Sequence, residues 1–426
     1  MNSKKIIDYI DQNRENFIEF LKKLISKDTT NINHGIDGGH ELNGQEIIIS
    51  KFKELGLDIE TFEPENKKLK KYAEASLGHN YQNRPNVVGV LKGKDSKNHK
   101  SIILNGHIDT MPFNKIDQWY SHPLEPKIID NKLYGRGACD MKGGLAALIL
   151  AVESLIKCNC DIKGDIILES VVDEEGGGNG TLACIDNGYK ADLAVVAEPT
   201  ELKIMRSHMG WVFFKMDVEG KSLHSGLKWL GVNAIEKTIK IINGLKELES
   251  EWLLKKRNSI LPPPTINFGT INGGTAGSVV PDNCRVDFGV HFLPEDADSN
   301  GLGSIVEREI IDRIKLISNG DQWLKNHKPK LKKYQEGSPF EFKSDEDYLK
   351  VFSSNFEKIR DNEKAVIAGS EYGCDARLLQ NYSKVPTLMF GPGSIKQAHG
   401  INEYLDLDQY LDYIKIMALS IIELNN

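Results

Sequence analysis

An α/β protein interrupted by a smaller α+β module is what this sequence of 426 residues predicts, and three observations carry the expectation. Short apolar runs alternate with helical periodicity as far as Arg206. Beyond it the apolar residues take up the two-residue alternation of a half-buried strand. After residue 320 the first pattern returns. Alternating strands and helices build a central sheet covered by helices on its faces, while strand-rich halves with one helix each build a two-layer sandwich.

The elements follow in order. Ile6, Ile10, Phe17, Leu21 and Leu24 recur at helical spacing over residues 6–25, and Ile47, Phe52 and Leu55 repeat the pattern in a second helix. Strands are predicted at 87–91 and 102–104, then a Gly-rich opening to a helix over 142–156, then strands at 166–172 and 193–197. In the middle segment Val212, Phe214, Met216 and Val218 alternate. A helix with Ile235, Ile239, Ile242 and Leu245 on one face follows, with strands at 266–271 and 286–293 and a helix at 305–317. The chain closes with a helix at 348–359, a strand at 387–390 and a helix at 409–424. The domains expected are therefore 1–206 together with 321–426, and an insertion over 207–320. No internal repeat or low-complexity linker appears, so short hinges are expected.

Composition limits the function. Apolar residues make up 40% and charged residues 27%, values of a soluble globular chain able to bury a sizeable core. The net charge is -7 and the basic residues are spread out, which argues against nucleic acid as a partner. The run from Lys67 to Lys71 reads as a solvated loop. Residues 1–8 are charged and lack the apolar stretch of a secretory signal, and no apolar run is long enough to span a membrane. A cytoplasmic location is the expectation. Six scattered cysteines (Cys139, Cys158, Cys160, Cys184, Cys284 and Cys374) lack the spacing of a structural zinc site and are read as free thiols.

Five clusters place His, Asp or Glu just after apolar runs, where open α/β sheets collect ligands. They are Gly106-His107-Ile108-Asp109-Thr110, Gly135-Arg136-Gly137-Ala138-Cys139-Asp140, Asp173-Glu174-Glu175-Gly176, Ala197-Glu198-Pro199 and Ala398-His399-Gly400. Singly they are weak. Asp109 can buttress His107, yet a lone His-x-Asp is as readily a satisfied histidine in a turn. Asp140 at the mouth of a helix is ordinarily an N-terminal cap. Glu174 and Glu175 are different, because adjacent carboxylates at a buried strand end repel unless a cation neutralises them.

In this order the five clusters resemble the zinc-dependent M20-type deacylases and exopeptidases, the family of acetylornithine deacetylase and succinyl-diaminopimelate desuccinylase. The resemblance implies a zinc-exopeptidase-like catalytic domain with a mixed central sheet and an inserted lid that pairs two subunits. It implies that His107, Asp140 and Glu198 bind one zinc ion, and that Asp140, Glu175 and His399 bind a second, with cobalt or manganese as replacements. Glu174 resembles the general base that takes a proton from the metal-activated water, and Asp109 resembles the partner that orients His107. Within 207–320, Gly220-Lys221-Ser222-Leu223-His224-Ser225-Gly226 resembles the lid motif, which makes His224 the candidate oxyanion donor; a surface histidine after a strand is the other reading.

Substrate residues expected by the same resemblance are Ser278, His291, Gly373 and Arg377. Many relatives carry Arg where His291 stands, and a histidine cannot hold a carboxylate with a two-pronged fork. The implied reaction is hydrolysis of a small N-acyl amino-acid-like amide by a homodimer. A dipeptidase or carboxypeptidase of the same chemistry, and an inactive metal-binding interaction module, are the alternatives. The spare carboxylate at Glu174 argues against the module.

Overall fold

A computed structural model describes residues 3–32, 38–343 and 346–426. Met1 and Asn2 of the charged N-terminal stretch lie outside them. The chain divides into two compact units, residues 1–206, 342–368 and 374–426 forming the first and residues 207–341 with 369–373 the second. Among the described residues no helix is long and apolar enough to cross a membrane.

The first unit is built on a mixed sheet. Its strands run side by side in the order Asp58–Phe62, Asn86–Leu91, Ile166–Val171, Ile102–His107, Leu193–Val196, Thr387–Met389 and Ile204–His208. The middle is parallel, with Ile102–His107 bonded to Ile166–Val171 on one side and Leu193–Val196 on the other. The flanks are antiparallel. Strands buried on both faces read as continuous apolar runs, which is why 102–104, 166–172 and 193–197 were legible. The helix Lys142–Lys157 is buried along nearly its whole length and packs with the C-terminal helix Leu407–Leu424 in one apolar core. Its opening glycines are a packing requirement: a Cβ on Gly144 would stand 2.1 Å from the carbonyl oxygen of Ala197.

The N-terminal helix differs from expectation. It is two helices, Ser3–Gln12 and Arg14–Ile25, separated at Asn13, whose backbone leaves the helical region. Ile6, Ile10, Phe17, Leu21 and Leu24 are still buried on one side, so the apolar period survives the break. The second helix, Leu42–Leu55, ends on Gly56 in the left-handed conformation that glycine adopts without strain. The lysine-rich stretch contains a short helix, Asn66–Leu69, with only Leu69 buried.

The second unit is an antiparallel sheet in the order Thr265–Gly273, Asn283–Phe292, Gly210–Glu219 and Lys330–Gly337, with the helices Ala234–Lys255 and Ser304–Asn319 packed on it. Val212, Phe214, Met216 and Val218 point into its core beside Ile241, Leu245, Ile310 and Ile314. The sequence boundary at 320 requires correction here. Residues 321–341 belong to the second unit, because Lys330–Gly337 pairs with Gly210–Glu219 as an edge strand. Its side chains are mostly lysine and glutamate, so no apolar alternation announces it.

Candidate metal centre

The parallel strands deliver the side chains. His107 is the last residue of Ile102–His107, Glu174 and Glu175 follow Ile166–Val171 by a short turn, and Glu198 follows Leu193–Val196. All leave the carboxyl ends of adjacent strands, so residues far apart in sequence meet at one edge. Asp140 precedes the helix Lys142–Lys157, and His399 comes from the loop after Thr387–Met389. Asp140 is not a cap. The capping position is Met141, and it makes no side-chain capping bond.

Two groups of potential ligands result. His107, Glu174 and Glu198 form one and Asp140, Glu175 and His399 the other, with one donor atom from each residue within 4.8 Å of the rest of its group. Asp140 joins them: its Oδ1 lies 3.1 Å from His107 Nε2 and its Oδ2 lies 3.2 Å from His399 Nε2. His399 Nε2 also lies 3.0 Å from Glu175 Oε1. Glu174 and Glu198 each present an oxygen 4.0 Å from His107 Nε2.

The electrostatics describe a site built for positive charge. Burial and the neighbouring Glu198 and Asp375 hold the Glu174 carboxyl well above the usual range, and burial beside Asp140 does the same for Glu198. Burial beside Asp140 also raises Glu175. Asp140 is the exception: burial alone would raise it, but hydrogen bonds with His107 and His399 outweigh that and hold it low. The same bonds from Asp140 and Glu175 push His399 up to about 10. Glu198 Oε1 is buried and no hydrogen-bond donor among the described residues satisfies it. Four carboxylates facing two imidazoles, with an orphaned buried oxygen, fit divalent cations held by nitrogen and oxygen donors.

Asp109 acts differently from the expectation. The nearer partner of His107 Nδ1 is the Asp109 backbone carbonyl at 2.9 Å, while its carboxylate is 3.5 Å away. A proton on Nδ1 directed at that carbonyl leaves Nε2 with its lone pair toward the site. The carboxylate accepts hydrogen bonds from the backbone N–H of Glu174 and Glu175 and, at 2.6 Å, from Asn31 Nδ2. Asn31 is held in turn by the buried Arg84, which also pairs with Glu41 and Asp173.

The expected substrate residues are not brought into this group. Arg377 is buried in the first unit, where its guanidinium pairs with Glu74 at 2.9 Å and donates to the Cys374 carbonyl. His224, Ser278, His291 and Gly373 belong to the second unit. His224 is exposed, its Nδ1 accepting from the Gly226 N–H, and Ser278 is exposed on the strand pairing beside it. His291 is half-buried, and burial lowers its proton affinity. Gly373 lies against Trp211, whose ring a Cβ would meet at 2.0 Å, so packing requires the glycine.

Sequence reasoning missed the residues behind the ligands: Asn31, Arg84, Asp173 and Glu403. A buried charged residue carries the same letter as a solvated one. For Glu403, its place four residues after His399 was the available signal.

Residues 103–423 match the family described as Peptidase family M20/M25/M40. An N-formyl-4-amino-5-aminomethyl-2-methylpyrimidine deformylase of Bacillus subtilis (strain 168) is 31% identical over 435 residues, covering 97% of this chain and 95% of that one. An acetylornithine deacetylase of Buchnera aphidicola is 30% identical over 395 residues, covering 92% and 93%. A crystallised tripeptidase of Staphylococcus aureus superposes with a TM-score of 0.74 at 19% identity, covering 97% of this chain and 98% of that one, and shares the fold.

Proposed function

The chain belongs to peptidase family M20/M25/M40, and on that basis we propose that it hydrolyses the amide bond of a small N-acyl amine at a two-cation centre, with Glu174 as the proton carrier. The observation that carries the proposal is Asp140, which turns one carboxylate oxygen to each of two histidines from opposite ends of the sequence. His107, Asp140 and Glu198 would hold one cation, and Asp140, Glu175 and His399 the other. Zinc suits these donors, with cobalt or manganese as substitutes. When bound, such a pair supplies an acidified water and a Lewis acid for the amide carbonyl.

The chain's own groups do the rest. Glu174 stands beside His107 and, as the one acid of the two triads not assigned to a cation, accepts the proton of the attacking water and passes it to the leaving nitrogen. Asp109 keeps Glu174 and Glu175 apart by holding both of their backbone N–H groups. His224 is proposed to stabilise the developing oxyanion from a partner subunit, with the second unit serving as lid and dimerisation surface. Sedimentation is expected to show a homodimer, and His224→Ala to reduce turnover more than substrate binding. A fully active monomer would remove that role. A cytoplasmic setting belongs to the same reading and suits six free thiols.

Two residues bear on the substrate. Arg377 is already paired with Glu74, and burial favours the neutral form of His291, so neither supplies a ready cation for a carboxylate. This supports an amine portion without a carboxylate and a short acyl group. The pyrimidine named for the Bacillus subtilis relative has both properties. The test is a hydrolysis screen of zinc-loaded protein against N-formyl aminomethylpyrimidines, N-acetyl amino acids and dipeptides, with Glu174→Gln as the matched control. Deformylation or deacetylation is expected to lead. Dipeptide turnover far above both would overturn the reading.

A further inference from the structure

The region behind Asp140 and His399 holds a buried ion pair that none of the roles above uses. Arg136 and Glu403 are 3% and 1% exposed, and Arg136 Nη1 donates to Glu403 Oε2 at 2.6 Å. The other carboxylate oxygen of Glu403 accepts the backbone N–H of Cys139 at 2.8 Å and of Asp140 at 3.1 Å. Arg136 Nη2 donates to the carbonyls of Pro112 and His399, each at 3.3 Å. Trp119 lies against the guanidinium, 5.3 Å from ring centroid to its central carbon. One pair thus grips the main chain of two loops that are more than 250 residues apart in sequence and present Asp140 and His399.

We propose that Arg136 and Glu403 are positioning residues that set the distance between Asp140 and His399, and so select for the cation held by Asp140, Glu175 and His399. The inference rests on the two-cation reading above. The asymmetry comes from the supports. His107 ends a strand that is hydrogen-bonded on both sides, and Glu198 follows the neighbouring strand. His399 has no such support: its ring is half exposed and its backbone sits at φ +61°, in the left-handed region that ordinary residues avoid. Without the grip on its carbonyl, His399 is the ligand free to drift. Partners behind a first layer of ligands orient them in this way, and the charge of Glu403 is neutralised by Arg136, so it adds no attraction of its own.

The test is a calorimetric titration of metal-free, full-length protein with zinc chloride. The wild type is expected to show two sites. Glu403→Gln and Arg136→Lys are each expected to weaken one site roughly 10- to 100-fold while sparing the other. In a His399→Ala background, Glu403→Gln should add nothing, because the ligand it positions is gone. Glu153→Gln is the control for buried-pair loss: it breaks a 2.6 Å pair with Lys51 toward the far end of the helix Lys142–Lys157 and should spare both sites. Equal weakening of both sites, undiminished loss in the His399→Ala background, or unchanged binding would overturn the assignment. If Glu403→Gln does not fold, Arg136→Lys decides alone. A wild type that binds fewer than two zinc ions would overturn the two-cation reading, and with it this inference, before any variant is compared.

Discussion

Glu174 and Glu175 are neighbours in sequence and opposites in task. Asp173, held at φ +65° and gripped by Tyr81, His79 and Arg84, sets the turn from which Glu175 reaches His399 and Glu174 stays beside His107. Glu174→Gln keeps the shape and removes the proton acceptor. Turnover is expected to fall by roughly 10²- to 10⁴-fold with zinc content unchanged by elemental analysis. Lost zinc would instead make Glu174 a ligand. Asp109→Ala frees three hydrogen-bond donors at once, those of Asn31, Glu174 and Glu175. Zinc affinity is expected to drop by about tenfold or more in the same titration; unchanged affinity would mean that the Asp109 carbonyl alone orients His107. At this scale the gathered acids and histidines were legible because each follows an apolar run that reads as a strand. The layer behind them was not. Arg84, buried against Glu41, looks in sequence like any arginine before a proline.

The start of the helix Lys142–Lys157 shows how one element serves the site. It presses so close to the end of the strand Leu193–Val196 that Gly144→Ala must move either the helix or the Ala197 carbonyl. A loss of about 1–3 kcal/mol is expected in urea unfolding. A neutral result would show that the contact relaxes freely. In the second unit Asp321 joins the helix Ala234–Lys255 to its own turn. Burial alone would raise its carboxyl, but Lys237, the Leu324 N–H, Lys240 and the Trp323 N–H together hold it low. A depressed acid stabilises above its ordinary range and loses that contribution as pH falls below it. Asp321→Asn should therefore lower the melting temperature at neutral pH, and the gap to wild type should narrow on acidification below about pH 4; a constant gap would sink this account. Long periodic elements were readable from sequence. Asn13 hid the division of the first helix, and Lys330–Gly337 hid an edge strand whose pairing is all backbone.

For the molecule as a whole, cations and fold are linked. Four carboxylates crowd two imidazoles in the first unit, and a ligand that binds only the folded state adds stability by mass action. Chelation is expected to lower the thermal midpoint of the first unit by several degrees, with recovery on adding zinc; an unchanged midpoint would uncouple the centre from the fold. The path of the chain also has a consequence in time. The strand Thr387–Met389 lies between Leu193–Val196 and Ile204–His208, so a gap stays open in the sheet until almost the entire polypeptide has left the ribosome. His399 emerges later still. A nascent chain can finish its insertion first, while the rest waits with an unsealed edge. Newly made protein is then most exposed to wrong pairing just before its last histidine arrives.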